Sequence, residues 1–327
     1  CLENRDNINF TVRNGDGRHL LFNGHTDTVS IAGMSIDPFN GDIKDGCLWG
    51  RGATDMKGPL AGMLSSLLRL RERDDWRGTL TVSCVVDEEY KYRGILSLLD
   101  DNDPWDFAVV GEPTSLRVVR GCKGSCRFTI HTEGRAAHSS EPGKGANAIV
   151  GMARAIPCIT GFFENGLAKF TRPGFGPSTG SIGLIQGGSG INIVPERCTI
   201  SIDIRTVPGQ DWRTTFANFE NHVRAHCDDL GDVKLVFDEP SHFSPSFETT
   251  PDHLLVQTAC EVLGESEPSI VPFGCDGSKI AARDIPTIVL GPGDIAQAHT
   301  KDEHITLQNL EDGAAAYEKL AVELLAK

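Results

Sequence analysis

The 327-residue sequence contains no apolar run that approaches the roughly 18 residues of a membrane-spanning helix, and no cationic-then-apolar leader opens it. Basic residues are in deficit, since 31 Lys and Arg stand against 45 Asp and Glu, a formal net charge of -14. Such a surface repels phosphate backbones and anionic lipid, which argues against nucleic-acid or membrane binding. We therefore expect a cytoplasmic protein.

Paired cysteine motifs are also lacking. The ten cysteines are scattered, and only Cys122 and Cys126 lie close together, without the C-x-x-C spacing of a zinc knuckle. Reduced thiols within strands are expected. With 39% hydrophobic and 23% charged residues, the sequence has the composition of a packed globular protein, and its length suits two domains.

Both ends of the chain alternate short apolar runs with helical patterns. The predicted strands are His19–Asn23, Leu80–Val86, Phe107–Val110 and Ile285–Leu290. The predicted helices are Pro59–Arg73, Tyr92–Leu99, His253–Gly264 and Leu307–Ala326. This alternation of strands and helices predicts an α/β domain with a mostly parallel, helix-covered sheet, formed by residues 1–116 and 243–327.

The middle of the chain has a different pattern, typical of an inserted α+β module at residues 117–242. Arg117–Arg135 alternates like an antiparallel strand pair. The other predicted elements are the helices Asn147–Ile159 and Asp211–His226 and the strands Ser181–Gln186, Arg197–Thr206 and Lys234–Phe237. Asp238–Pro251, rich in Pro, Ser and Thr, is predicted to be a return linker.

Metal-type ligands follow the predicted strands of the α/β domain. These residues are His25, Asp27, Glu88, Glu89, Glu112 and His299, with Asp55 in the loop before the first helix. Singly, each has a simpler explanation as a surface turn, a helix start or a loop histidine. Because the carboxyl ends of strands in an open α/β sheet line one crevice, we expect the side chains to converge.

Convergent carboxylates repel each other unless a cation lies among them. Two histidines with three carboxylates suit Zn²⁺ or another first-row metal better than Mg²⁺ or Ca²⁺. Five ligands exceed the needs of one catalytic zinc ion. If one carboxylate bridges, they divide evenly between two ions, and a metal-bridging water becomes the nucleophile.

The chain resembles the M20-type metallopeptidase and aminoacylase superfamily, which includes acetylornithine deacetylase and succinyl-diaminopimelate desuccinylase. The matching segments are Gly24–Val29, Gly50–Gly58, Asp87–Glu89, Gly111–Thr114 and Gly291–Thr300. The resemblance implies that Asp55 bridges two ions, held further by His25 with Glu112 and by Glu89 with His299. It also implies Glu88 as general base and a cis peptide after Asp55.

Asp27 stands two residues beyond His25 and is expected to accept the free imidazole N–H through its carboxylate. The inserted module resembles the superfamily's lid and dimerisation domain in Gly134–Ser140, Gly190–Pro195 and Asp203–Arg205. The resemblance implies a homodimer in which His138 stabilises the oxyanion in the partner's site. The implied substrate-binding residues are Asn192, Arg205 and Gly293.

The expected activity is hydrolysis of the amide bond of an N-acyl amino acid, as in acetylornithine deacetylase, with Zn²⁺ or Co²⁺. Ser278 occupies the position at which the desuccinylase pattern has an arginine, so desuccinylase activity is disfavoured. A dipeptidase or carboxypeptidase of the same superfamily is the nearest alternative. A non-catalytic relative is disfavoured because all six core residues are present. Only Cys1–Arg18 precede the first predicted strand, so part of the catalytic domain is expected to be missing.

Overall fold

The computed structural model describes residues 5–101, 104–227 and 229–326. Its α-helices are α1 (Lys57–Arg71), α2 (Arg93–Asp100), α3 (Ala148–Asn165), α4 (Trp212–His226), α5 (Leu254–Leu263), α6 (Gly277–Ala281) and α7 (Leu307–Leu325). Short 3-10 helices span Pro142–Lys144, Leu167–Lys169 and Ile295–Gln297. Within the described ranges, no helix is both long and apolar enough to cross a membrane.

The strands are short and numerous. They are β1 (Ile8–Asn14), β2 (His19–His25), β3 (Ile43–Lys44), β4 (Cys47–Trp49), β5 (Gly78–Val85), β6 (Phe107–Val110), β7 (Val119–Cys122), β8 (Ser125–Glu133), β9 (Ala137–His138), β10 (Thr171–Arg172), β11 (Gly176–Pro177), β12 (Thr179–Gly187), β13 (Ile193–Val194), β14 (Arg197–Arg205), β15 (Lys234–Phe237), β16 (His242–Ser244), β17 (Phe247–Glu248), β18 (Ser269–Val271), β19 (Thr287–Val289) and β20 (His304–Thr306).

The chain divides into two compact units. The first, called the α/β unit here, contains the chain up to Cys122, then Phe247–Val271, then the chain from Cys275 onward. The second, the inserted unit, contains Lys123–Ser246 and Pro272–Gly274.

An eight-stranded sheet forms the centre of the α/β unit, in the order β1-β5-β2-β6-β19-β7-β17, with β18 beside β7. The four strands β5, β2, β6 and β19 run parallel to one another, and β18 runs parallel to β7. The pairs β1–β5, β7–β19 and β7–β17 are antiparallel. The sheet is mainly parallel, which confirms the predicted fold class.

Side chains alternate between two cores on the faces of this sheet. On β2, Leu20 and Phe22 join the cluster that contains side chains of α1, α5 and α7. Leu21 points the other way, into the cluster with Ile95 of α2 and Ile280 of α6. All three β2 side chains are fully buried, and burial of each stabilises the fold by about 1.5–3 kcal/mol. Helices therefore cover both faces.

The inserted unit is an antiparallel sheet with two helices. Its strand order is β12-β14-β8-β15, with β16 beside β8. Along β14, Ile200 and Ile202 are buried and their neighbours less so, as the period of two in a half-covered strand requires. Phe219 of α4 and Met152 of α3 complete this core. The α+β character predicted for the insertion is confirmed.

The predicted antiparallel pair across Arg117–Arg135 is wrong. The two strands there, β7 and β8, belong to different sheets, β7 to the large one and β8 to the small one. Every residue of β7 is buried, as expected of a strand inside a covered sheet. The predicted linker Asp238–Pro251 also differs, because β16 and β17 form within it.

Candidate metal centre

Asp55 lies at the centre of a group of metal-type ligands. It ends the loop before α1, is 7% exposed, and its peptide bond to Met56 is cis, as the resemblance implies. Ligand atoms of His25, Asp55 and Glu89 all lie within 4.8 Å of one another.

His25 is the last residue of β2 and contacts one oxygen of Asp55. Its Nε2 lies 3.1 Å from Asp55 Oδ1, and its Nδ1 lies 2.8 Å from the backbone carbonyl of Asp27. Since a carbonyl oxygen only accepts, Nδ1 must carry a proton. In the neutral ring, Nε2 therefore turns a lone pair toward a carboxylate, and that arrangement needs a proton or a metal ion between the two atoms.

His299 contacts the other oxygen of Asp55. Its Nε2 lies 3.2 Å from Asp55 Oδ2 and 3.1 Å from Glu89 Oε1. A single ring nitrogen faces two carboxylate oxygens, although it has one proton at most to donate. The His299 side chain is 54% exposed, so solvent reaches this side of the cluster.

The carboxylate of Asp27 contacts the turn that carries Glu88 and Glu89. The backbone N–H groups of Glu88 and Glu89 donate to Asp27 Oδ1 and Oδ2, both at 3.2 Å. This differs from the predicted contact, because Asp27 Oδ1 is 3.8 Å from His25 Nδ1 and the backbone carbonyl takes that proton instead. Asp27 thus orients His25 through its main chain and the Glu88–Glu89 turn through its side chain.

Glu88 and Glu112 complete the buried acidic surface around His25. Burial raises the pKa of Glu112 to about 8. Burial and the charge of Glu112 raise the pKa of Glu88 well above its ordinary value. Burial alone lowers the pKa of His25, but the hydrogen bond to Asp55 and the charge of Glu112 outweigh it and raise that pKa. Without a cation the site therefore favours extra protons.

The donor set fits a pair of first-row metal ions. Zinc–nitrogen and zinc–oxygen bonds of about 2.0–2.2 Å place two ligands of one ion roughly 3–3.5 Å apart, which matches the separations of 3.1–3.2 Å found here. One histidine faces each oxygen of Asp55, as a carboxylate shared by two ions requires. Imidazole and carboxylate ligands suit zinc better than magnesium.

Two glycines of the predicted motifs make room beneath this cluster. A Cβ on Gly24 would lie 2.7 Å from Met56 Cε, and one on Gly111 would lie 2.6 Å from the same atom. Met56 is fully buried directly after Asp55. The glycines at the ends of β2 and β6 thus allow this methionine to pack against the sheet.

Sequence reasoning missed two buried acids of the α/β unit. Asp276, 1% exposed, accepts a hydrogen bond of 2.9 Å from Asn23 Nδ2, and burial raises its pKa to about 6. Glu303 is fully buried and pairs with Arg51 at 2.7 Å. Each lies about 250 positions from its partner, so no local pattern reveals the contact.

In the inserted unit, β9 and β13 bring His138 and Asn192 together. His138 pairs with Ile193, and the N–H of Ser139 donates to Asn192 O at 2.9 Å. The N–H of Ser140 donates to His138 Nδ1 at 3.2 Å. Because Nδ1 accepts, the exposed neutral ring carries its proton on Nε2 and offers a donor.

The other two predicted substrate residues lie in separate units. Arg205 ends β14 and donates from Nη2 to Asp203 Oδ2 at 2.9 Å. Gly293, in the α/β unit, has φ +89°, and a Cβ there would lie 3.1 Å from the methyl carbon of Thr54. The N–H of Ser115 donates to Gly293 O at 2.7 Å.

A helix-covered, mainly parallel sheet with a histidine–carboxylate cluster beyond its strands is an arrangement that can hold a catalytic metal ion. The model of peptidase family M20/M25/M40 matches residues 21–323. The chain belongs to this family.

Relatives agree with this assignment. The chain is 33% identical over 311 residues to an acetylornithine deacetylase from Erwinia tasmaniensis, covering 92% of this chain and 79% of that one. A tripeptidase from Staphylococcus aureus shares the fold, with a TM-score of 0.79 at 24% identity over 98% of this chain and 85% of that one. A dinuclear metal-binding peptidase of the M20 family from Bacillus subtilis matches with a TM-score of 0.72 at 16% identity, covering 98% and 85%.

Proposed function

We propose that the chain is a two-metal amidohydrolase that removes the acyl group from an N-acyl amino acid. The observation that carries the proposal is the position of His25 and His299 on opposite oxygens of Asp55. Glu112 and His25 would hold one ion, and Glu89 and His299 the other, with Asp55 shared. Zn²⁺, which suits the ligand chemistry, or Co²⁺ in its place would polarise the amide carbonyl and lower the pKa of a bound water molecule.

Glu88 has the properties of a general base. Its side chain is buried, its pKa is raised, and Asp27 fixes its backbone. A carboxylate whose pKa is raised takes the proton of the attacking water more effectively and can then deliver it to the leaving amine. The exposed His299 side leaves the cluster open to substrate.

The inserted unit would supply the groups that bind the rest of the substrate. The Nε2–H of His138 is a donor suited to the developing oxyanion. Arg205 presents a guanidinium suited to the substrate carboxylate, with Asn192 as a further contact. Gly293 of the α/β unit would be another contact. These four roles follow from the family resemblance.

The inserted unit also has a surface suited to a homodimer. β12 is the edge strand of its sheet, and several apolar side chains on and near it are 40–103% exposed. They are Leu184, Ile185, Ile191, Ile193, Ile149 and Val150. An unpaired edge with apolar neighbours favours pairing with another chain.

Co-expression tests whether His138 acts in the partner's site. His138→Ala should be nearly inactive because a lost oxyanion donor costs about 3–4 kcal/mol. Glu88→Gln should be nearly inactive because it loses the general base. If His138 acts in trans, a mixed dimer of the two variants regains one intact site and measurable activity. Mixed dimers as inactive as their parents would contradict the trans arrangement.

A substrate panel tests the activity itself. Chelator-treated protein, reloaded with Zn²⁺ or Co²⁺, is assayed against N-acetyl amino acids, N-succinyl amino acids and dipeptides. We expect hydrolysis of N-acetyl substrates, and no activity before reloading. Preferential cleavage of dipeptides would assign the chain to the peptidase branch instead, and turnover without metal would contradict the proposal.

A further inference from the structure

Glu303 forms a buried carboxylate clamp under the loop that carries Asp55. Its side chain is fully buried. Oε2 accepts from Arg51 Nη1 at 2.7 Å and from the N–H of Gly52 at 2.9 Å. Oε1 accepts from the N–H groups of Thr54 and Asp55, both at 2.9 Å. One carboxylate thus fixes three backbone amides of this loop, including that of Asp55 itself.

Arg51 extends the clamp to two more loops. Its Nη2 donates to the carbonyl of Ser30 at 3.3 Å and to the carbonyl of Thr300 at 3.1 Å. Ser30 lies in the segment after His25, and Thr300 directly follows His299. The Arg51–Glu303 pair therefore connects the segment that follows His25 with the loops that carry Asp55 and His299.

A carboxylate suits this position because four N–H donors, one from Arg51 and three from the loop backbone, point at its two oxygens. The backbone amide of Asp55 is held 2.9 Å from Glu303, while both side-chain oxygens of Asp55 face histidines at 3.1–3.2 Å. An amide in place of the Glu303 carboxylate would turn an NH₂ group toward N–H donors, leaving buried donors unsatisfied. The loop would then shift, and Asp55 with it.

We propose that Glu303 is a positioning residue of the metal centre, which sets the place of Asp55 between His25 and His299. The inference rests on the proposed function, since it assigns Asp55 the shared ligand position. Glu303 binds the backbone of the loop, and it acts on the metal centre through that loop.

The test measures Co²⁺ binding to the chelator-treated full chain. Calorimetry gives the affinity, and the visible absorption spectrum reports the surroundings of the bound Co²⁺. Glu303→Gln should bind Co²⁺ about 10–100-fold more weakly, the usual effect of removing a group that orients a metal ligand, with an altered spectrum. Glu303→Asp keeps the charge but is one methylene shorter, so it should weaken binding in the same direction.

Glu248→Gln is the matched control. Glu248 on β17 forms a nearly buried ion pair with Arg120 on β7 in the same unit, each side chain 10% exposed. The Glu248→Gln variant should have a lower melting temperature but the same Co²⁺ affinity and the same spectrum as the wild-type chain. Wild-type affinity in either Glu303 variant, or an equal loss in Glu248→Gln, would overturn the inference. A wild-type chain that binds no Co²⁺ would overturn the proposed function as well.

Discussion

Glu88 and Glu89 are neighbours in sequence with different surroundings. Glu89 Oε1 lies 3.1 Å from His299, and the Glu89 side chain is 15% exposed. Glu88 is more deeply buried, and the charges acting on it come first from Glu112 and then from His25. We therefore assign Glu89 to metal binding and Glu88 to proton transfer.

Glu88→Gln and Glu89→Gln should separate these two tasks. Glu88→Gln should keep its metal and lose about 10²–10⁴-fold in kcat, the range for a lost general base. Glu89→Gln should lose affinity at one of two metal sites. Metal content by mass spectrometry and kcat on the reloaded protein measure both effects, and exchanged phenotypes would reverse the assignment.

At the residue scale, the sequence predicted that metal-type side chains converge, and His25, Asp55 and Glu89 do so. It did not predict the buried acids that support them. His25, Asp55 and Glu89 stand out because each follows an apolar run or a glycine-rich loop. Glu303 and Asp276 lack such a signal, since each depends on a partner about 250 residues away. Only the folded chain brings these groups together.

Gly111 and Gly291 follow the adjacent strands β6 and β19, and the close packing around them predicts how much an alanine at each position would destabilise the fold. A Cβ on Gly111, after β6, would meet the flexible ends of Met56 and Met63 at 2.6 and 2.7 Å. A Cβ on Gly291, after β19, would meet the backbone oxygen of Gly111 at 2.4 Å. Gly111→Ala should cost about 1–3 kcal/mol of stability, and Gly291→Ala more, because backbone cannot yield as a side chain does.

Urea unfolding of the two variants measures this difference. Gly143→Ala serves as the control, since nothing lies within 4 Å of a Cβ there and its effect should stay within about 0.5 kcal/mol. A Gly111→Ala variant less stable than Gly291→Ala would contradict the packing argument.

At the element scale, the sequence predicts long periodic segments better than short ones. α4 and α7 begin within one residue of the predicted starts, because an apolar stripe of helical period is present. The predicted pairing of β7 with β8 is wrong, because the sequence of a short buried strand does not indicate which strands lie beside it. The sheet β20-β4-β3, made of strands of two or three residues, was not predicted.

For the whole molecule, the buried acids predict how the metal-free stability depends on pH. Burial raises the pKa of Glu112 to about 8 and that of Asp276 to about 6, so the folded chain holds protons that the unfolded chain releases near pH 4–4.5. The hydrogen bond to Asp55 likewise raises the pKa of His299 to about 9. These groups stabilise the fold at low pH and lose that contribution as pH rises.

The melting temperature of chelator-treated protein should therefore fall between pH 5 and pH 8. Zn²⁺ should raise the melting temperature by more at pH 8 than at pH 5, because the ligands must lose their protons to bind the metal and do so more readily at pH 8. Glu112→Gln should flatten the metal-free slope. A melting temperature that rises with pH over this interval would contradict the assignment. Burial lowers the pKa of Lys279 to about 8. Above about pH 8 this residue therefore makes the stability of the fold rise with pH, opposite to the effect of the acids.

The most direct test of the central claim is anomalous X-ray scattering from crystals of the zinc-loaded protein. We expect two zinc ions about 3.5–4 Å apart, with Asp55 bound to both, His25 and Glu112 on one, and His299 and Glu89 on the other. A single zinc ion in this cluster, or two ions that do not share Asp55, would contradict the two-metal assignment.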